Sequence, residues 1–412
     1  MTSQRTHNRA EAAHPGARLG TNPGAGATVA PGSQLRVAGV DPELGFGGGE
    51  TQVLGLTREL TADGHRAELI CDPAGRLWER ARVLGIVCHA LRIRNALDVA
   101  AAMRLRAMLA RERYDVVHFH TSRAHSMAPF ADSYARALVV TRRMDYRPNR
   151  LFAPYLFGRA VDGVAAISRG VADALGSAGV ARSRVTIIPS GVDCAHFRPP
   201  SPSERAAARA ALGVCDGEIA VGTLGALEAR KGHRDLLAAL AALTAREPAA
   251  PAPSLVCMIA GDGSLRDELA RDASRLGIAE RLRMLGRIDD SRALLWALDV
   301  FAFPSLKEGL GVAMLEAMAC GLAVVASRTG GIGDVVDDGR TGLLVAPGDA
   351  GALASALGRL AEDGAARAAL GAAARTSVAE NFSMAAMARR TLELYRSCLA
   401  ANRGAGSHSG RT

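Results

Sequence analysis

The chain has 412 residues, of which 49% are hydrophobic and 22% charged, a composition typical of a globular protein rather than a disordered one. No apolar run approaches the roughly 18–20 residues of a membrane-spanning helix, and the first 33 residues lack the apolar centre of a signal peptide. Seven scattered cysteines without a C-x-x-C pair argue against a disulfide framework and a zinc site. At about 100–200 residues per domain, the length predicts two domains.

Positive charge is concentrated in the N-terminal half. The formal net charge is +9, and residues 34–200 carry 23 arginines against 16 acidic residues. A basic half could face anionic lipid or a phosphorylated acceptor, or it could be only an arginine-rich solvated surface. Only two of the 50 basic residues are lysines, Lys231 and Lys307, and both lie in the motifs considered below, where a compact ammonium could be required.

The N-terminal half alternates predicted strands with predicted helices. Leu35–Val40 predicts a buried strand, Gly45–Gly49 a glycine loop, Glu50–Ala62 a helix and Ala67–Cys71 a second strand. Further strands are predicted at Val116–His120, Ala137–Thr141, Gly163–Ser168 and Val185–Ile188. A strand, a glycine loop, a helix and a strand in that order open a doubly wound α/β domain.

A proline- and serine-rich stretch, Pro199–Ser203, interrupts this alternation, and the pattern restarts at Ile219. We therefore predict a disordered tail at 1–33, an N-terminal domain at 34–198, a linker at 199–216, a C-terminal domain at 217–380, a helix at 381–402 that could pack back on the N-terminal domain, and a disordered tail at 403–412. The predicted fold class is α/β, with two Rossmann-like domains. Ligands bind beyond the carboxyl ends of parallel strands, so the expected site is the cleft between the domains.

Two glutamates eight residues apart are the sharpest chemical signal. Glu308 lies in a glycine-bearing loop after a predicted strand, and Glu316 lies two turns into the following helix. Carboxylates in these places can accept hydrogen bonds from sugar or ribose hydroxyls, while the N-terminus of the helix faces phosphate. Taken alone, the same spacing also fits a surface acid followed by a helix acid.

Other candidates are positioned at the ends of predicted strands. Lys231, in the segment Gly225–Gly232, could stabilise a leaving diphosphate. The loop Gly47–Gly49 allows close backbone approach to a ligand, or it is a simple tight turn. His118 and His120 share one face of a strand, where each could bind a ligand, hold a metal or fill the core. Four arginines after an N-terminal strand could bind an anionic acceptor or form a solvated loop: Arg142, Arg143, Arg147 and Arg150.

Together with Ala317–Gly321, Val324–Ser327, Gly330–Gly331 and Thr341–Val345, these motifs resemble family 4 of the retaining glycosyltransferases, which have the GT-B fold. The resemblance covers roughly residues 35–400. It implies an acceptor-side N-terminal domain and a C-terminal domain that binds a nucleotide-sugar donor. It also implies that Glu308 and His120 contact the donor sugar and that Glu316 binds the ribose. The chain departs from the family at Ala226, where many members carry an arginine.

The predicted function is therefore a retaining, metal-independent glycosyltransferase of the hexosyltransferase type. It would transfer a sugar from a nucleoside diphosphate sugar to a hydroxyl acceptor, lipid-linked or polysaccharide, in cell-envelope glycolipid or polysaccharide synthesis. The predicted catalytic residues are His120, Lys231 and Glu308. The predicted donor-binding residues are Gly48, Gly49, Gly225, Arg230, Gly309, Leu310, Gly311 and Glu316.

We expect no metal, no cofactor other than the donor substrate, and no nucleic-acid partner. The expected location is the cytoplasm, at the inner face of the membrane, with peripheral contact to anionic lipid. The alternatives are a catalytically weak protein that binds a nucleotide or a polyanion on the same fold, and another nucleotide-sugar enzyme such as an epimerase or a phosphorylase. An NAD dehydrogenase is disfavoured, because the first loop is not G-x-G-x-x-G.

Overall fold

The computed structural model describes residues 33–132, 134–144, 146–245 and 254–406, with side chains described as far as 402. Most of the two predicted tails lies outside these ranges. The exceptions are Ser33 and residues 403–406, which continue the last helix rather than beginning a tail.

The first domain is built on a parallel sheet that has seven strands in the described part of the chain, in the order β3-β2-β1-β4-β5-β6-β7. Its strands are β1 (Arg36–Asp41), β2 (Arg66–Cys71), β3 (Cys88–Ala90), β4 (Val116–Phe119), β5 (Ala137–Arg142), β6 (Gly163–Ala166) and β7 (Val185–Ile187). Its helices are α1 (Gly48–Ala62), α2 (Arg76–Val83), α3 (Val99–Glu112), α4 (Ser122–His125), α5 (Ala128–Ala131), α6 (Ala153–Gly158) and α7 (Arg169–Ser177). Strands β4 and β5 are buried along their whole length, as expected for a parallel sheet covered on both faces.

The second domain repeats this architecture on a parallel sheet with six strands among the described residues, in the order β10-β9-β8-β11-β12-β13. Its strands are β8 (Ile219–Leu224), β9 (Leu255–Ala260), β10 (Leu282–Gly286), β11 (Val300–Phe303), β12 (Ala323–Ser327) and β13 (Leu343–Val345). The remaining helices are α8 (Pro202–Ala211), α9 (His233–Thr244), α10 (Arg266–Arg275), α11 (Arg292–Ala297), α12 (Val312–Ala319), α13 (Ile332–Val335), α14 (Ala350–Glu362), α15 (Gly364–Asn381) and α16 (Met384–Gly406). The two doubly wound units confirm the predicted α/β fold class.

The segment 199–216, predicted to be a linker, contains helix α8 instead. Ser201 caps this helix reciprocally with Glu204: the serine hydroxyl accepts the Glu204 N–H at 3.3 Å, and the Glu204 carboxylate accepts the Ser201 N–H at 2.8 Å. Arg205 and Arg209 bind the two carboxylate oxygens of Asp299 at 2.7 and 3.0 Å. Residues 202–211 therefore pack on the second domain rather than bridging a gap.

Helix α16 leaves the second domain and packs on the first. Helix α15 lies against α12 and β12, whereas α16 lies against α1, β5 and β6. Tyr395 is fully buried in the core that α16 shares with the first sheet. Gly163 makes this approach possible, because a Cβ atom there would lie 2.7 Å from the Cys398 sulfur. No helix within the described ranges has an apolar stretch long enough to cross a bilayer.

Candidate active site

A cavity of about 610 Å³ lies between the two domains, at the carboxyl ends of their strands. We call it the cleft cavity. It contains every sequence-predicted site residue except His120. The first domain contributes Gly48, Gly49, Arg143 and Ser190, and the second contributes Gly225, Arg230, Lys231, Lys307, Glu308, Gly309, Leu310, Gly311 and Glu316. The structure thus brings together residues up to 268 positions apart, while their individual roles stay predictions.

An ion pair lines the cleft cavity. Lys231, on the turn after β8, places its Nζ 2.5 Å from Oε2 of Glu308, on the loop after β11. Both side chains are largely buried, with exposed fractions of 13% and 14%. The Lys231 ammonium also lies 5.3 Å from the centre of the Phe303 ring. Each group restrains the other, so a cation and a carboxylate are fixed side by side where two strands end.

The N-terminus of helix α12 faces the same space. Gly311 precedes the helix with a φ of 91°, in the left-handed region that favours glycine. The next two residues, Val312 and Ala313, line the cleft cavity. Because the first N–H groups of a helix have no partner within the helix, this end presents hydrogen-bond donors and the positive end of the helix dipole. Such a geometry suits a phosphate group.

Glu316 lies on α12 between two cavities. Its carboxylate accepts a long hydrogen bond from the Ser291 hydroxyl at 3.4 Å, and burial raises its pKa to about 7. It lines the cleft cavity and also a neighbouring cavity of about 560 Å³ next to Arg287–Ser291, which we call the side cavity. A ligand that binds Glu316 can therefore extend into both spaces.

His118 and His120 differ in their surroundings despite their shared strand face. His118 is fully satisfied, because its ring nitrogens lie 2.7 Å from the Tyr395 hydroxyl and 2.7 Å from the Thr141 hydroxyl. His118 is therefore a core residue and not a ligand-binding one. His120 is 4% exposed, and its Nδ1 has no hydrogen-bond partner among the described residues. Burial and the neighbouring His118 and Arg143 hold its pKa well below the usual range, so the ring is neutral.

His120 lies outside the cleft cavity, in an adjoining cavity of about 510 Å³ within the first domain. This space, which we call the first-domain cavity, also contains Asp41, a residue that sequence reasoning missed. Asp41 ends β1 and is 1% exposed; Oδ1 accepts the Glu43 N–H at 3.1 Å, while Oδ2 is buried without a partner in the described structure. Burial raises the pKa of Asp41 to about 7. Its only sequence signal is an acid at the carboxyl end of a buried strand.

Arg143 was predicted only as one of four clustered arginines, and the structure separates the four. Arg143 lines both the cleft cavity and the first-domain cavity. Arg142 is buried, with its guanidinium 4.8 Å from the centre of the Tyr146 ring, whereas Arg147 and Arg150 are exposed. In the described ranges, no group of three or more His, Cys, Asp or Glu side chains is arranged to hold a metal ion.

Two facing Rossmann-like domains with a phosphate-suited cleft define the GT-B class of fold, and similar solved structures share this architecture. An Anabaena protein, Alr3699/HepE, solved in complex with UDP and glucose, aligns with a TM-score of 0.76. The alignment covers 88% of this chain and 100% of that one, at 24% identity. This likeness concerns the fold.

Sequence comparison identifies the family. The profile described as "Glycosyltransferase Family 4" matches residues 46–196, and the one described as "Glycosyl transferases group 1" matches residues 218–363. The lipopolysaccharide core biosynthesis glycosyltransferase LpsE of Rhizobium meliloti is 30% identical over 84% of this chain and 95% of its own length. This chain therefore belongs to the group 1, family 4 glycosyltransferases.

Other curated relatives match over a shorter region. D-inositol 3-phosphate glycosyltransferase 2 of Catenulispora acidiphila is 38% identical over 43% of this chain and 42% of its own length. The chain thus spans less than half the length of this relative. The family assignment therefore rests on the two profiles and the LpsE match, and none of these matches identifies the substrates of this chain.

Proposed function

We propose that this chain is a retaining glycosyltransferase that transfers a sugar from a nucleoside diphosphate sugar to a hydroxyl group of a glycolipid or polysaccharide acceptor. One observation carries the proposal: the Lys231–Glu308 ion pair, the N-terminus of α12 and Glu316 converge on one interdomain cavity. The relatives support it, because one is named for lipopolysaccharide core synthesis and another for D-inositol 3-phosphate, and the Anabaena structure contains UDP and glucose.

In the proposed donor complex, the diphosphate lies against Lys231 and the free N–H groups at the start of α12. Lys231 and these N–H groups are hydrogen-bond donors that the fold holds in place before the substrate binds. They therefore stabilise negative charge as it develops on the leaving group. Glu316 accepts hydrogen bonds from the ribose hydroxyls, and the base extends into the side cavity. Glu308 binds hydroxyls of the transferred sugar.

The acceptor occupies the first-domain cavity, with its hydroxyl directed toward the cleft. A bond forms between the acceptor oxygen and the anomeric carbon as the bond from that carbon to the phosphate oxygen breaks. Attack comes from the face of the leaving group, so configuration is retained, and the departing phosphate oxygen receives the hydroxyl proton. Neutral His120 orients the sugar at the junction of the two cavities. No metal and no further cofactor takes part in this proposal.

The proposal also places the protein in the cytoplasm, at the inner face of the membrane. Three apolar side chains that follow Arg147 and Arg150 support this placement: Leu151 is 84% exposed, Phe152 66% and Tyr155 54%. Apolar side chains next to arginines suit an interface with anionic lipid. Sedimentation with phosphatidylglycerol vesicles, compared with phosphatidylcholine vesicles at several salt concentrations, tests this point. Equal absence of binding to both at low salt would contradict it.

The donor assignment is tested with a panel of uridine, guanosine, adenosine and thymidine diphosphate sugars. We expect one donor to raise the melting temperature of the full chain and to be slowly hydrolysed, and both effects to be lost in Glu316→Ala and Lys231→Ala. Arg182→Ala is the matched control, because Arg182 is 86% exposed and pairs with Asp173 away from the cavities. Product analysis with a sugar acceptor distinguishes transfer from epimerisation, and binding without turnover on any acceptor would favour a binding protein.

A further inference from the structure

Two of the three basic side chains that the second domain contributes to the cleft cavity are already paired with carboxylates. Position 226, next to Gly225, carries alanine and so supplies no further cation on this wall. Lys231 is paired with Glu308 at 2.5 Å and Arg230 with Glu228 at 2.7 Å, whereas the third, Lys307, is exposed. A leaving diphosphate carries at least two negative charges, so a further buried cation nearby would stabilise it.

Arg143 of the first domain is placed to supply that cation. It directly follows β5, and its main chain touches the loop that starts α12: a Cβ atom at Gly309 would lie 2.7 Å from the carbonyl oxygen of Arg143. Its side chain runs past the glycine loop of α1, since a Cβ atom at Gly49 would lie 3.9 Å from Cδ of Arg143. Arg143 thus lies between the two glycine-rich segments that line the cleft cavity, one from each domain.

The Arg143 guanidinium forms only a weak hydrogen bond within the described chain, although it is a cation in the cleft between the domains. Among the described residues, its recorded hydrogen bond runs to the neutral hydroxyl of Ser190, at a long 3.5 Å. Asp41 and Glu50 attract it electrostatically, but the hydrogen bond given for its side chain within the described chain goes to Ser190 and not to either carboxylate. Burial lowers the pKa of Arg143 to about 10, which is the signature of a desolvated cation without a close counter-ion.

We propose that Arg143 binds the diphosphate of the donor and replaces the cation that is missing at position 226. The proposal rests on the donor site proposed above and names one further residue of that site. A guanidinium can bind two phosphate oxygens at once through its planar fork of N–H groups. Because Arg143 belongs to the first domain while Lys231 and Glu316 belong to the second, a bound diphosphate would link the two domains directly.

The test uses calorimetric dissociation constants of the full chain for UDP, GDP, ADP and TDP, and for the corresponding monophosphates. We expect Arg143→Ala and Arg143→Gln to weaken diphosphate binding about 10- to 100-fold, the range for a charge-assisted hydrogen bond, and to weaken monophosphate binding much less. Adding Ala226→Arg to Arg143→Ala should restore most of the diphosphate affinity. Arg182→Ala should bind like the wild type, and an unchanged melting temperature of Arg143→Gln shows that the fold is intact.

The outcomes separate this proposal from the donor site on which it rests. If the wild type binds one of the diphosphates and Arg143→Gln binds it equally well, Arg143 is not the cation and the donor site stands. The same conclusion follows if Lys307→Ala, rather than Arg143→Gln, selectively loses affinity for the diphosphate. It also follows if Arg143→Gln loses monophosphate and diphosphate affinity to the same extent. If the wild type binds none of the nucleotides, the donor site itself is wrong, and the role of Arg143 with it.

Discussion

Donor binding should depend on pH through Glu316. Burial raises the pKa of this carboxyl to about 7, so in the free protein the neutral form predominates below pH 7 and the carboxylate above it. Ribose hydroxyls donate hydrogen bonds to the carboxylate, so the ligand binds the ionised form better and lowers the pKa on binding. Affinity is therefore lost as the pH falls through 7.

The size of the effect follows from the fraction of ionised carboxyl. With a pKa of about 7, that fraction rises from about 0.09 at pH 6 to about 0.91 at pH 8, so the affinity should rise about tenfold across this range. Binding at pH 7 should release about half a proton. The ligand should be the nucleotide sugar, whose diphosphate is esterified at both ends and does not titrate near neutrality.

Calorimetry in two buffers of different ionisation enthalpy measures both quantities. Glu316→Gln is the control, since it removes the titrating group and should give weaker binding that does not change with pH. It also separates Glu316 from Asp41, whose pKa is likewise raised to about 7. An affinity that is flat between pH 6 and 8 in the wild type, or a tenfold rise that persists in Glu316→Gln, would refute the reasoning.

Three further predictions concern catalysis and stability. Lys231→Ala should lower the rate of sugar transfer in single turnovers about 10²- to 10³-fold, because it removes charge stabilisation of the leaving group; a rate as high as that of the control Arg182→Ala would contradict this. Tyr395→Phe should lower the free energy of unfolding by about 1–3 kcal/mol in urea titration, because His118 loses a buried partner, and unchanged stability would show that water replaces it. Asp299→Ala should cost about 1–3 kcal/mol by the same assay, since Arg205 and Arg209 lose their shared carboxylate; a neutral effect would mean that α8 is held by apolar contacts.

The parts of the site that were predictable are those encoded in contiguous sequence. Glu308, Gly309, Gly311 and Glu316 belong to one strand–loop–helix unit, and its chemistry depends on local spacing alone. The buried apolar strands were predictable for the same reason. Helix α8 had a local signal too, the reciprocal cap of Ser201 and Glu204, but the surrounding prolines and serines also indicate a linker.

The parts that were not predictable depend on register and on long-range contacts. Asp41 comes level with His120 because Val40 pairs with Phe119 in the sheet, and no spacing along the chain contains that information. Strand alternation treats His118 and His120 alike. The two differ because Tyr395, 277 residues further along the chain, hydrogen-bonds to the His118 ring. The Nδ1 atom of His120 has no such partner in the described structure, and the ring lies in a cavity.

The return of α16 to the first domain has a consequence for biosynthesis. Chains emerge from the ribosome N-terminus first, and domains generally fold in that order. Here the second domain, as far as Asn381 at the end of α15, is fully synthesised before the first domain has its last helix. Until Tyr395 and its neighbours emerge, the apolar face of β1, β4 and β5 remains open. The domain made first is therefore the one completed last, and a chain that stalls before α16 is made exposes the core of its N-terminal half.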